Sequence, residues 1–254
     1  MPRKEVDQKV TQQKFKFYRM EASTDGQSAD VFLFGEIVPA GWEWDDTDQS
    51  AASFKKNLDA MGDVSTINLH INSPGGSVFE GVAIGNMLKQ HKAQVHCFVD
   101  GLAASIASVI AMSGDTISMP KNAMLMIHNP LTGLWGNAAD LRKAADDLDH
   151  INESMKQSYL GKAGDKLDLE TLSTLMDSET WLSADEAVSY GLADEVLEPN
   201  QAAACVSEKL FAKYKHVPAA LAGGGDPVNR PGPTPQEPSQ PSLLLQKLKI
   251  IRGE

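Results

Sequence analysis

Apolar and polar residues change period several times along the chain. Phe15 to Met20 alternates, which predicts a strand, and Asp30 to Ile37 predicts a second one after a turn at Asp25-Gly26. Ser53 to Met61 places Phe54, Leu58 and Met61 on one face of a helix that Gly62 closes. From Thr66 the pattern becomes strand, turn, helix. Thr66–Ile71 is a strand, Asn72–Ser77 a turn with two glycines, and Val78–Lys92 an amphipathic helix with Phe79, Val82, Ala83, Met87 and Leu88 inward. Gln94–Val99 is the next strand. It breaks at Gly101, and small residues lead into a helix through Ile106, Val109, Ile110 and Met112 that ends at Gly114. Thr116–Met119 and Ala123–Ile127 are short strands on either side of Pro120-Lys121-Asn122. Strands alternating with helices across short links predict an α/β fold with right-handed crossovers and a mostly parallel sheet.

The period then lengthens. Asn137 with Asp140 predicts an N-cap, and Leu141, Ala144, Leu148, Ile151 and Met155 recur at helical steps to about Leu160. Such a helix is roughly 36 Å long and carries one apolar stripe. It either projects towards a second subunit or folds back on its own core. Asp168 caps a short helix to Met176, Ser183 and Glu186 form a capping box for a helix ending at Gly191, and Leu192–Leu197 is a last strand.

The ends read differently. Residues 1–29 are a polar arm with one strand, 30–197 the folded domain, and 198–217 an extension. Seven prolines and four glycines between 218 and 242 predict a linker that buries no core. Residues 243–254 are a short tail mixing leucine, isoleucine and lysine, which reads as a docking helix for a partner or as dispensable.

Composition narrows the functional classes. A net charge of −11 argues against nucleic acid as a partner, because phosphate binding needs clustered Lys and Arg. No run is long enough to span a membrane, and the charged start predicts no secretory signal, so a cytosolic location is expected. Cys97 lies in an apolar strand and reads as core; with Cys205 it makes no disulfide framework. No His/Cys cluster has metal-ligand spacing and no phosphate loop of the Gly-Lys-Ser/Thr kind is present, so neither metal nor cofactor is expected.

The chemistry gathers at turns. Ser105 lies where a strand turns into a helix, a place that exposes its hydroxyl beside helix N-terminal N–H groups. The same small residues also read simply as close packing of helix on sheet. His128 ends a strand next to Asn129-Pro130, and strand ends of a parallel sheet crowd one edge. Gly76 and Ile106 can each offer a main-chain N–H, and Asp177 or Glu179 an acid to orient an imidazole.

Four separated runs together carry a resemblance: Ile71-Asn72-Ser73-Pro74-Gly75-Gly76, Gly101-Leu102-Ala103-Ala104-Ser105, Met126-Ile127-His128-Asn129-Pro130, and Trp181-Leu182-Ser183-Ala184 through Asp194. Over about residues 30–197 the chain resembles the Clp protease proteolytic subunit. The resemblance implies a Clp/crotonase-like fold of repeated ββα units with a projecting handle helix at about 137–160, and ring-forming homo-oligomers enclosing their active sites. It implies Ser105 as nucleophile, His128 as base, and the N–H groups of Gly76 and Ile106 as the oxyanion hole. The family's aspartate stands in a run like Asp-Arg-Phe-Leu-Ser-Ala; here the aligned acid is Glu179, with Asp177 the alternative. The Trp-rich acidic loop 42–48 and the Pro-rich tail depart from the housekeeping subunit and look more like phage head-maturation proteases. That implies scaffold or capsid proteins as substrate, in host cytoplasm or within a procapsid. The rival readings are a subunit of an ATP-dependent protease, a non-catalytic subunit of a capsid or ring assembly, and an acyl-CoA enzyme of the crotonase type, against which the Ser–His pair argues.

Overall fold

The computed structural model describes residues 18–22, 27–44, 48–199 and 214–218. Expectations for the first 17 residues, for 200–213, and for the linker and tail beyond 218 lie outside the described residues. Strand β2 (Ser28–Ile37) pairs antiparallel with β1 (Tyr18–Ala22) and parallel with β3 (Thr66–Gly76). The parallel sheet continues through β4 (Gln94–Ala104), β5 (Thr116–Pro120) and β8 (Glu195–Leu197). Alternation along each strand puts one residue per strand into shared rows. Val31, Leu69, Cys97 and Ile117 stand in register on the buried face. Phe32, His70 and Phe98 form the stacked row on the other face.

Helices α1 (Ala51–Ala60), α2 (Val78–Gln90) and α3 (Ile106–Ala111) cover the apolar face with Phe54, Leu58, Ile84, Leu88 and Ile110. Each buried side chain of this size contributes about 1.5–3 kcal/mol, so the core is built mainly by these rows. The parallel α/β architecture is the one the period of the chain predicts.

Two strands run further than the pattern indicates. The Asn72–Gly76 run belongs to β3, and β4 continues through Gly101 to Ala104. Gly101 is where β4 changes partner: His96–Phe98 pair with β5, whereas Leu102–Ala104 pair with β6 (Met124–Ile127). Strand β7 (Thr180–Ser183) then adds antiparallel to β6. The sheet therefore forks, and the second branch carries the turns of chemical interest.

Helix α2 buries Leu88 and packs Val82 and Met87 against the core, as its apolar spacing suggests, but turns Phe79 outward. Gly81, Ile84 and Leu88 are buried, and Phe79 is 72% exposed. The reason is close packing. A Cβ on Gly81 would stand 2.2 Å from Ile106 Cγ1, so only a glycine lets α2 approach α3 there.

The long helix, α4, spans Ala138–Ala163 and is capped by Asn137, whose side chain accepts from the N–H groups of Ala139 and Asp140. Its burial is confined to the second half, at Met155, Lys156, Tyr159 and Ala163, while Leu141 is half exposed. The first half projects with its stripe uncovered. Helix α5 (Leu169–Asp177) and α6 (Ala184–Ser189) are capped by Asp168 and Ser183.

Gly81→Ala is expected to lower the urea midpoint and the Tm. Overpacking against Ile106 costs about 1–3 kcal/mol, against ~1 kcal/mol gained from helix propensity. An unchanged or higher midpoint would mean that Ile106 has room to move.

Candidate active site

Ser105 follows directly on β4 and caps α3 with φ 56° and ψ −128°, left-handed backbone for a non-glycine residue. Such a conformation costs about 1–3 kcal/mol and persists only where its surroundings hold it. Here they do so from both sides. The Ser105 N–H donates to the Met126 carbonyl at 2.9 Å, and the Ser105 carbonyl accepts from the Ser108 N–H at 3.0 Å and the Ser108 hydroxyl at 2.6 Å. Ser108 Oγ also lies 2.7 Å from the hydroxyl of Tyr159 on α4. Because Ser108 gives its single proton to Ser105, the phenol is the donor in that contact. Tyr159 is fully buried, and burial pushes its phenol well above the usual range.

His128 follows β6, next to the strand pair that fixes Ser105. Its Nε2 lies 2.7 Å from Ser105 Oγ, and both residues are buried. The arrangement lets an imidazole take the proton of a hydroxyl that the backbone thrusts out of the turn.

The two candidate acids part company. The β6–β7 ladder ends on the pair Ile127 and Thr180, so His128 and Glu179 are the residues that adjoin its last pair. Glu179 is buried and has φ 50°. Its carboxylate accepts the Lys215 N–H at 2.7 and 3.0 Å and the His216 N–H at 2.7 Å. Asp177 instead accepts Asn129 Nδ2 at 2.7 Å, and Asn129 Oδ1 accepts Asn152 Nδ2 from α4 at 2.8 Å. Asp177 thus braces the segment after His128 against the long helix.

Gly75 and Gly76 close β3 beside Ser105. A Cβ on Gly75 would lie 2.6 Å from the Ala104 carbonyl oxygen and 2.8 Å from Ser105 Cβ; on Gly76 it would lie 2.0 Å from the Ile37 carbonyl oxygen. With φ of 86° and 147°, both positions demand glycine. Gly76, Ser105 and His128 line one cleft of about 500 Å³, whose wall includes the exposed Trp42 and Trp44 of the acidic loop.

Nothing in the pattern singled out Tyr214, which lines the same cleft and is buried. Its hydroxyl donates to the Pro74 carbonyl, and its ring stands edge-on to His128 at 5.5 Å and to Trp181 at 5.8 Å. Burial raises its phenol above the ordinary range, and a hydrogen bond with Ser105 opposes that rise. A lone aromatic between lysines has no periodicity to mark it. Among the described residues, no group of three His, Cys, Asp or Glu could hold a metal ion, and no helix is long and apolar enough to cross a membrane.

Comparison with known proteins adds to this geometry. The model of the Clp protease family matches residues 43–200. The chain is 36% identical over 143 residues to the ATP-dependent Clp protease proteolytic subunit 2 of Parasynechococcus marenigrum (strain WH8102), covering 56% of this chain and 72% of the relative. It is 35% identical over 148 residues to the ATP-dependent Clp protease proteolytic subunit of Streptococcus salivarius, covering 57% and 74%.

The Tyr159–Ser108–Ser105 relay predicts a graded loss of stability. Tyr159→Phe removes one donor and is expected to cost about 1 kcal/mol in urea unfolding. Ser108→Ala leaves the buried phenol without its acceptor and is expected to cost more, about 1–3 kcal/mol. Equal midpoints for Ser108→Ala and wild type would show that the relay holds nothing.

Proposed function

The chain belongs to the Clp protease family, a family of peptidases, and we propose that it is a serine endopeptidase working through Ser105 and His128. The observation that carries this reading is the 2.7 Å contact between Ser105 Oγ and His128 Nε2 at a strained strand-to-helix turn. His128 takes the hydroxyl proton as Ser105 Oγ attacks the peptide carbonyl carbon. The carbonyl oxygen gains the negative charge and is held by the main-chain N–H groups of Gly76 and Ile106. Collapse of the tetrahedral intermediate breaks the C–N bond, and His128 passes its proton to the leaving amine. Water, deprotonated by His128, then cleaves the acyl-enzyme and restores the serine.

Glu179 is the acid we assign to orient His128; its place just before β7, next to the last β6–β7 pair, and its burial support this. A glutamate serves this role in other triads. Asp177 is the weaker choice, being engaged with Asn129.

For the biological role we infer head maturation in a tailed phage, with scaffold or capsid proteins as substrates and no need of an unfolding ATPase. The exposed tryptophans of the acidic loop and the Pro-rich segment after 218 support it. The uncovered first half of α4, with Leu141 and the nearby Trp135 exposed, supports assembly into rings. The second reading, a proteolytic subunit that depends on an ATPase, is favoured by the names of the relatives. Cleavage of a capsid or scaffold protein without ATP supports the first; degradation only with an added unfoldase and ATP supports the second.

Ser105→Ala is expected to fold, assemble and lose both peptidase activity and labelling by a fluorophosphonate. Equal cleavage by Ser105→Ala and wild type ends the serine mechanism. Glu179→Gln is expected to lower kcat by about two to four orders of magnitude, whereas Asp177→Asn changes it by less than about tenfold. The reverse order would move the acid to Asp177.

A further inference from the structure

The loop between β2 and α1 carries two tryptophans that the core leaves uncovered. Trp42 is 65% exposed and Trp44 91%. Exposed apolar groups of this size in one cleft mark a binding surface, and here the backbone beneath them is tied. At the base of the loop the Val38 N–H donates to the Gln49 carbonyl at 2.8 Å, and the Gln49 N–H to the Glu36 carbonyl at 2.9 Å. Further out the Trp42 N–H donates to the Pro39 carbonyl and the Trp44 N–H to the Asp48 carboxylate, both at 3.0 Å. The Glu43 carboxylate accepts the Gly41 N–H at 2.7 Å. Both indoles thus hang from a main chain held at several points, and both line the cleft that contains Ser105 and His128.

The charge of the same cleft is one-sided. Glu36 and Asp48 line it, and among the described residues of its lining none is Lys or Arg. Glu36 acts inside the cleft: burial is the chief cause that raises the Tyr214 phenol, and the negative charge of Glu36 adds to the rise. A carboxylate that accepts hydrogen bonds from neutral donors keeps its charge and has further lone pairs, so the bond from Trp44 does not cancel the pull of Asp48 on a cation. The indole faces attract in the same sense, because their π electrons draw cations, and a planar guanidinium also stacks on them. A neutral apolar side chain would use the rings but strip water from the carboxylates without pairing them, and an acidic one would be repelled.

We propose that Trp42, Trp44, Glu36 and Asp48 form a subsite for an Arg or Lys side chain of the substrate, so that the enzyme cleaves peptides carrying a cation within a few residues of the scissile bond. The proposal rests on the serine-peptidase reading above and names its substrate class. The cleft volume of about 500 Å³ is in the range that holds a ligand of this size.

The test uses the full chain and paired peptides in which one position at a time, on either side of the cleaved bond, is arginine or its uncharged isostere citrulline. At one position kcat/KM for the arginine peptide is expected to exceed that for its citrulline twin by at least about tenfold. That ratio is expected to fall as the ionic strength rises, because exposed charges are screened. Glu36→Gln, Asp48→Asn, Trp42→Leu and Trp44→Leu are each expected to lower the ratio about threefold. Since the ratio is taken within one protein, a smaller active fraction of a variant does not change it. Equal rates for arginine and citrulline at every position overturn the subsite, and so does a preference that survives in all four variants. Tryptophan variants that keep the ratio but alter the oligomeric state overturn it too, by giving the indoles to a contact between copies. Each of these results leaves the serine reading in place when a fluorophosphonate labels Ser105 of the wild type. Cleavage by Ser105→Ala, or a wild type that takes no probe, overturns that reading instead.

Discussion

The left-handed turn at Ser105 is the constraint on which the rest of this structure depends. A non-glycine residue does not hold φ 56° on its own. It is held because β4 runs on past Gly101 and pairs on both sides, with Ser73 opposite Ala103 in β3 and Met126 opposite Ala104 in β6. The bond from the Ser105 N–H to the Met126 carbonyl extends that pairing by one step, and Ser108 secures the other side. Several bonds of about 1 kcal/mol each offset a strain of similar size. The hydroxyl is thereby aimed without support from its own side chain.

Small residues make that arrangement possible. Gly75 passes within Cβ distance of Ala104 and Ser105, and Gly81 allows α2 to lie against Ile106, the first residue after the turn. Ala103 and Ala104 are fully buried beside them. The reading of these small residues as close packing and the reading of Ser105 as a reactive group are therefore compatible. The packing is what places the hydroxyl. The same strand branch carries His128 just after β6 and Glu179 just before β7, so one short ladder brings both residues to the same end.

The long helix joins the site to the projecting part of the molecule. Its buried half reaches Ser105 through Tyr159 and Ser108, and it reaches the segment after His128 through Asn152, Asn129 and Asp177. A displacement of the exposed half, for example by a neighbouring subunit, has a physical route of packed and hydrogen-bonded groups to both ends of the Ser–His pair. In this structure Asp177 takes part in that bracing through Asn129.

Much of this was legible in the sequence because it is local. Two consecutive glycines after an apolar run, small residues before Ser105, a histidine at a strand end, and side chains able to cap at Asn137, Asp168 and Ser183 each declare themselves within a few positions. The alternating strand and helix periods were enough for the parallel α/β architecture. What the sequence could not determine lies in contacts between distant residues. The switch of β4 from β5 to β6 depends on which strands arrive beside it, and a glycine in the middle of a strand pattern reads equally as a break. The inward face of α2 is decided by how closely α3 approaches, so Gly81 is buried and Phe79 is not. Tyr214 reaches Pro74 across 140 positions, and the Glu179 carboxylate meets the backbone of Lys215 and His216. No period or cap announces such a meeting, because it is set by where the folded chain returns rather than by the residues on either side of it.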